Sequence, residues 1–526
     1  MTVDLSKFLD LIHLPETQPL ANAPNAHAAG VSMAMDLRCG PSRAVRLWQL
    51  VSNAIVNDYN VKNDGWSLAC NPGLSGTFGA GACAIVAPHR GPRGTLAAGG
   101  TITSVTIAAG TPLPAAVGVN QLANRGDGTG FTLRIIGNAA GSSGKIEERI
   151  IIGNTAGTTP TIYLSGSPLS FSPILGDGFE FLSGRVYMLG SGLLAGNSFR
   201  YLDALTGAVA SCSFANLPAT VTTDTSMVML DEQYCPNLPG EGFLLGQGDG
   251  GIEAHALVAT GSSATTLTGQ SAQGDAGVAA DEFRNFQIRI VKDAAIPTAV
   301  GQRRKITAHT AGVSPVYTVP VWTVTPSSTC QYVIENANQL LAWTTASANT
   351  FTYVSDLVGA QAADTWSTST YAVRPSAMAA GCSSFQPFGN VLDAQKLSRY
   401  SHIFSWRGGN VSTLDLLDIA AGANGAWTAA IPYGGSVLVN TGGCGVYESA
   451  RGYFYMNPVG TNQYNRFDPI HRYMENWGQL RWGPLGAAAA GERMAASCLI
   501  QGSAKIPFVY AMTSSQVNMF RWLITR

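Results

Sequence analysis

Charge is the scarcest commodity in this chain. Asp, Glu, Lys and Arg make up 12% of its 526 residues, about half the roughly 25% share of an ordinary soluble domain. Thirty-one basic residues against 32 acidic ones leave a net charge of −1. A protein that coats nucleic acid needs clustered positive charge to neutralise phosphates, so direct nucleic-acid binding is not expected. The longest basic cluster, Arg303-Arg304-Lys305, reads as a solvated strand face. No run reaches the roughly 20 apolar residues of a membrane-spanning helix, which argues against a membrane partner. The opening residues, Met1-Thr2-Val3-Asp4-Leu5-Ser6-Lys7, lack the basic-then-apolar pattern of a secretory signal, so synthesis in a cytoplasm is expected.

Cysteine pairing is also missing. The nine cysteines, at 39, 70, 83, 212, 235, 330, 382, 444 and 498, form no CxxC pair and no cluster with histidine, so they are read as buried thiols acting as small hydrophobes. What is abundant is glycine, at 60 residues, within a chain that is 46% hydrophobic. A surface so sparsely charged is expected to be covered in part by other subunits. At roughly 150 residues per domain, three or four domains are anticipated.

Helical spacing is confined to Leu5, Phe8, Leu9 and Ile12, with Asp4 or Ser6 as caps. Pro15-Glu16-Thr17-Gln18-Pro19 and an Ala/Asn-rich stretch follow, so residues 1–40 are read as an N-terminal arm. Beyond them, short Val/Ile/Tyr/Phe/Thr runs alternate with Gly, Asn, Asp and Pro, the pattern of a many-stranded all-β protein.

Internal repetition organises the rest. Residues 131–162 align with residues 286–317 at a constant offset of 155. Phe131 matches Phe286, Arg134 matches Arg289, Ile135 matches Ile290 and Arg149 matches Arg304. Thr155-Ala156-Gly157 matches Thr310-Ala311-Gly312, and Pro160 matches Pro315. Alternating apolar positions around a Gly/Ala-rich turn describe a hairpin with one buried face. No shared His, Cys or acidic set accompanies the match, which favours a scaffold module over a repeated active site. After each copy comes a further hairpin: Val186-Tyr187-Met188-Leu189 leads to Phe199-Arg200-Tyr201-Leu202-Asp203, and Leu340-Leu341-Ala342-Trp343 leads to Phe351-Thr352-Tyr353-Val354-Ser355.

That hairpin recurs without the module. His402–Trp406 with Thr413–Leu416 ends near Trp427, Tyr453–Met456 with Tyr464–Asp468 ends at Trp477, and Phe508–Met512 with Val517–Trp522 ends the chain. Early on, Ile55–Tyr59 precedes Trp66, and residues 243–260 offer another unit. These stretches resemble the kelch repeat, an apolar strand followed by glycines, an aromatic-Asp strand and a Trp. Gly408-Gly409 and Gly434-Gly435 look like its glycine pair. The resemblance implies a degenerate β-propeller of six or seven blades, each blade stable only between neighbours.

The expected organisation is an arm at 1–40, first propeller strands at 41–95, an inserted β-module at 96–185 and blades at 186–260. A second inserted module at 261–336 and blades at 337–526 follow, the ring being closed with N-terminal strands from around residues 44–70.

Chemistry has little to stand on. Galactose oxidase is a kelch-like enzyme, which raises copper, but a copper site needs convergent imidazoles. The seven histidines (13, 27, 89, 255, 309, 402 and 471) show no ligand spacing. Carboxylate pairs for glycoside hydrolysis are available at Asp231-Glu232, Asp281-Glu282 and Asp415/Asp418, all at expected turns or strand ends. Gly248-Asp249-Gly250-Gly251 and Arg125-Gly126-Asp127-Gly128 read as tight turns, lacking the context of phosphate or calcium sites. Tyr453, Tyr455 and Trp482 are candidates for sugar stacking or, more simply, for blade packing. No catalytic, cofactor-binding or metal-binding residue is assigned, and the chain is read as a non-enzyme with no cofactor.

The modules also resemble those of tailed-phage structural proteins. The matching residues are Arg289-Ile290-Val291, Gly301-Gln302-Arg303-Arg304-Lys305-Ile306, and Trp322 through Pro326 to Tyr332-Val333-Ile334-Glu335. The resemblance implies a structural component of a bacteriophage virion, made in the host bacterial cytoplasm and acting through protein–protein contacts as a neck or collar, tail accessory or capsid-surface protein. Portal, connector, capsid or tail proteins and further copies of the chain are the implied partners. The alternative is a host-glycan-binding or glycan-cleaving propeller on the phage tail. A third reading, a kelch adaptor recruiting a cellular partner, expects recruitment domains for which the chain has no room.

Overall fold

A computed structural model describes residues 17–25, 33–36, 46–51, 55–60, 64–70, 83–87, 91–110, 113–124, 130–137, 146–189, 199–211, 226–230, 257–269, 278–293, 295–299, 302–335, 339–344, 347–355, 366–369, 374–375, 383–385, 402–406, 411–432, 434, 444–448, 453–457, 463–469, 471–479, 493–501, 504–512 and 519–523. Within them the chain is all-β, made of antiparallel sheets of which none closes on itself.

Strand β1 (Thr17–Pro19) is followed by a four-stranded meander, sheet I, of β2 (Met33–Asp36), β3 (Arg46–Val51), β4 (Ile55–Asn60) and β5 (Gly65–Cys70). Sheet II starts with β6 (Cys83–Ala87) but is then interrupted by a module. The module contains β7 (Arg93–Thr95), β8 (Ser104–Thr106), β9 (Thr132–Ile136), β10 (Ile146–Asn154), β11 (Thr161–Leu164) and β12 (Gly178–Phe181), joined in the order β7-β12-β9-β10-β11-β8. Sheet II then resumes with β13 (Arg185–Leu189), β14 (Phe199–Asp203) and β15 (Val209–Ser211).

Sheet III repeats the plan. After β16 (Ser226–Leu230) comes a second module of β17 (Leu257–Val258), β18 (Gly261–Ser262), β19 (Thr266–Thr268), β20 (Gln287–Lys292), β21 (Arg303–Lys305), β22 (Ala308–His309), β23 (Val316–Thr318) and β24 (Gln331–Glu335). It forms two sheets, β17-β24-β20-β21 and β18-β19-β23-β22. Strands β25 (Gln339–Thr344), β26 (Ser347–Ser355) and β27 (Trp366–Ser369) complete sheet III. Both modules thus interrupt the same connection, between the first and second strands, in consecutive sheets.

The remaining sheets are plain meanders. Sheet IV is β28 (Ser383–Phe385), β29 (His402–Trp406), β30 (Thr413–Asp418) and β31 (Ala426–Pro432). Sheet V is β32 (Cys444–Glu448), β33 (Tyr453–Asn457), β34 (Gln463–Asp468) and β35 (Tyr473–Gln479). Sheet VI is β36 (Arg493–Gln501), β37 (Ala504–Met512) and β38 (Met519–Leu523), and its edge is completed by β1, with Thr17 opposite Trp522 and Pro19 opposite Phe520.

The apolar faces are buried between sheets. Met33, Leu47 and Tyr59 of sheet I meet Tyr510, Met512 and Met519 of sheet VI, while Trp48, Leu50 and Val56 on the alternate positions meet Val186, Met188 and Leu202 of sheet II. Between sheets IV and V, Phe385 stacks on Phe454 at 4.5 Å, and Trp406 lies 4.7 Å from Phe454 and 4.9 Å from Phe467. The first strands follow one another in a cycle, β2 beside β6, β6 beside β16, β16 beside β28, β28 beside β32, β32 beside β36 and β36 beside β2.

Acidic residues at the ends of the third strands shape the turns that follow. Asp203 Oδ1 accepts from the Thr206 N–H and hydroxyl, Asp418 Oδ1 from the Ala420 N–H, and Asp468 Oδ1 from the His471 N–H. These are side-chain-closed turns of the kind Asp favours. The aromatic-Asp pattern in the sequence therefore has a local mechanical cause.

Several sequence expectations need correction. The stretch read as an N-terminal arm contributes β1 and β2, and the helix expected near residue 8 lies outside the described residues. Residues 44–70 build a sheet of their own, and the last sheet is completed instead by Thr17–Pro19. Pro19 cannot donate to a ladder, a limitation tolerated on an edge strand. Leu257–Val258, taken as propeller, pairs within the second module, and Arg93–Thr95 within the first.

Candidate functional site between the inserted modules

The side chains shared by the two modules hold each copy together. Phe131 and Phe286 are buried, and their carbonyls accept the Ile151 and Ile306 N–H groups. The Thr155 and Thr310 hydroxyls accept the Thr161 and Val316 N–H groups, both at 2.9 Å. Arg149 donates from Nε to the Ser167 carbonyl and from Nη1 to the Glu148 carbonyl, and Arg304 donates likewise to Val321 and Arg303, the Nε bonds both measuring 3.0 Å. Each guanidinium, with its fixed fork of donors, ties a strand to the loop beyond. Arg303 and Arg304 are 3% and 8% exposed, so the basic cluster is not a solvated face. Arg304 satisfies carbonyls, and Arg303 lies on a covered side of its sheet.

The other shared arginine position, Arg134/Arg289, does something different. In β9, Leu133 and Ile135 fill the module core, and Arg134 between them points the opposite way. Yet Arg134 is only 2% exposed, so this face is covered too. Strand β20 repeats the pattern with Ile288, Arg289 and Ile290, and β12 with Phe179, Glu180 and Phe181, all buried. Arg134 donates from Nε to Glu148 Oε1 at 2.8 Å and from Nη1 to Glu180 Oε2 at 2.9 Å. Arg289, from the second module, donates to the other oxygen of the same carboxylate, Glu180 Oε1. Arg93 stands 3.5 Å from that oxygen.

Burial disfavours the charged form of Arg134, but Glu148 and Glu180 outweigh both burial and the repulsion of Arg289, so its pKa is raised. Arginine does not deprotonate near neutral pH. The arginines of the cluster therefore present fixed positive charge to Glu148 and Glu180.

The modules are also seated on the sheets below. Leu205, in the turn after β14, joins the core of the first module. Ile403 and Leu417 of sheet IV and Ile419 in the turn after β30 join that of the second, where Asn285 Nδ2 donates to the Ile419 and Gly422 carbonyls.

The sequence candidates for chemistry that fall among the described residues make the following contacts. His309 is buried; its Nε2 accepts the Phe283 N–H and its Nδ1 meets the Thr310 carbonyl, so it is the neutral Nδ1–H tautomer. Burial lowers its pKa, against the pull of Asp281 and Glu282. Asp281 accepts from the His309 N–H and pairs with Arg284, while Glu282 accepts from the Ala279 N–H. Asp415 is buried 3.0 Å from Arg374, and Asp418 lies 3.7 Å from His402. His471 sits in a turn against Asp468. Tyr455 is fully buried, and Arg466 lies 4.4 Å over the Tyr453 ring. Cys330 is a free, buried thiol whose pKa burial pushes up to about 12. His13, His27, His89, His255, Asp231-Glu232, Gly248–Gly251, Arg125–Gly128, Gly408-Gly409 and Trp482 lie outside the described residues. Among the described residues no three His, Cys, Asp or Glu side chains gather as metal ligands.

Glu180 was missed by reading the sequence. Its signal is a single charge between two large apolar residues in Phe179-Glu180-Phe181, the same form as Leu133-Arg134-Ile135 and Ile288-Arg289-Ile290.

No family model matches the chain, and no curated protein matches it. Solved structures give distant likenesses. A glutaminyl cyclase from Myxococcus xanthus is 11% identical at a TM-score of 0.21, covering 43% of this chain and 88% of its own. A putative 6-phosphogluconolactonase from Bacteroides uniformis is 11% identical at 0.25, covering 74% and 99%. The GH74 enzyme of Niastella koreensis is 11% identical at 0.21, covering 94% and 83%. Scores this low transfer neither fold nor activity.

Proposed function

We propose that this chain is a structural, non-catalytic component of a bacteriophage particle, a degenerate kelch-like propeller of six blades that carries two β-modules as a platform for protein–protein contacts. Sheets I to VI are the blades. The cycle of first strands around a common centre, the burial of apolar faces between successive sheets and the pairing of β1 with β38 support a ring sealed by strands from both ends of the chain.

The observation that carries the functional reading is the use made of the repeated residues. Phe131/Phe286, Thr155/Thr310 and Arg149/Arg304 each serve the fold of their own module. Repetition has preserved a shape, as a scaffold requires. The low charge of the chain and the phage-like pattern of its modules supply the particle context, with portal, capsid or tail proteins and further copies of the chain as partners.

Labelling tests the proposal. Gold-conjugated antibody raised against the recombinant chain should decorate purified particles at one fixed position. Unlabelled particles, together with retention of the recombinant chain on a host-glycan array, would replace this reading with a soluble glycan-binding protein.

A further inference from the structure

The two modules share their arginine position but not the charges around it. In the first module the backbone register sets Glu180 against Arg93 on one side and Arg134 on the other, with Glu148 beyond Arg134. The row across β7, β12, β9 and β10 therefore alternates in sign. In the second module Arg289 stands between Val333 on β24 and Arg303 on β21. An apolar residue and a second cation replace the two glutamates.

We infer that Glu180 is an arginine-binding site on the first module that receives Arg289 of the second, and that this shared carboxylate locks the two modules into one cooperative unit. One oxygen of Glu180 takes Arg134 from its own sheet and the other takes Arg289. With Arg134 and Arg289 each 2% exposed and Glu180 9% exposed, water does little to screen the bonds. A buried carboxylate divided between two guanidiniums fixes direction as well as distance, because each fork fits only a narrow range of approach. The inference concerns the relation between the modules and holds whatever the particle context proves to be.

A double-mutant cycle on the full chain tests it. Glu180→Gln and Arg289→Met are made singly and together, and unfolding is followed by urea denaturation. Locking predicts strong non-additivity, the double variant unfolding about tenfold or more less readily than the two single effects combined would give. Additive effects would overturn the inference. Native-state hydrogen exchange on the unmodified chain covers the case in which a variant fails to fold. Amides of β9 and β12 should then open together with those of β20 and β24, sharing one dependence on denaturant. Two separate opening reactions, one for each module, would equally overturn it.

Discussion

Asp64 is a latch on the segment that completes sheet VI, and removing it should loosen both ends of the chain. Its Oδ1 accepts the Ala21 N–H and the Tyr59 hydroxyl, both at 2.8 Å. The Trp66 indole N–H donates to the Ala21 carbonyl at 2.8 Å, so Ala21 is held from both sides two residues after β1. Asp64 has φ of 48°, a conformation that Asp and Asn adopt more readily than alanine. Asp64→Ala removes two hydrogen bonds to a carboxylate, each worth about 1 kcal/mol after discounting for solvent exposure. It also adds about 1 kcal/mol of left-handed strain. A loss of about 2–3 kcal/mol is expected, seen as a lower urea midpoint with faster proteolysis after residue 19. Asp64→Asn keeps an acceptor and the backbone preference and should cost less than about 1 kcal/mol. An alanine variant as stable as the parent, or an asparagine variant as damaged as the alanine one, would refute the latch.

Other consequences follow from burial. Trp406→Ala opens a cavity against Phe385, Phe454 and Phe467 and should cost about 3–5 kcal/mol in equilibrium unfolding; a loss under about 1 kcal/mol would contradict the packing of sheet IV on sheet V. His309 has a folded pKa below its ordinary 6.5, so below that pH the unfolded chain takes up the proton first and stability falls as pH drops. Urea midpoints at about pH 7.5 and about pH 5 should therefore diverge more in the parent than in His309→Gln; equal divergence would remove His309 from the account. The Cys330 thiol, pushed up to about 12, should resist alkylation at pH 8 in the native state and react on unfolding. Rapid native labelling at that residue, read by peptide mapping, would mean that the core of the second module is open.

The all-β class was legible because the Val/Ile/Tyr runs and Gly/Asn/Asp turns are local signals, and the hairpins at His402, Tyr453 and Phe508 sit on strands of sheets IV, V and VI. The match between Phe131–Ile162 and Phe286–Tyr317 marked the modules because packing preserved the same buried and bonding residues in both. Completion of sheet VI by Thr17–Pro19 was not legible. A three-residue edge strand carries too short an alternation to stand out from an Ala/Asn-rich stretch, and its partner, Phe520–Trp522, lies at the far end of the sequence. Arg303 was misread for a related reason. Strand alternation shows that it opposes the core, but only the tertiary arrangement shows that the opposite face is covered as well. Glu180 escaped because its significance depends on Arg289, which belongs to the other module.

The central claim is that this chain is built into a particle, and peptide-level mass spectrometry of purified particles tests it most directly. The account predicts peptides from both modules and from sheets I to VI at one fixed copy number relative to the major capsid protein. Abundance in the lysate together with absence from the particles would contradict it.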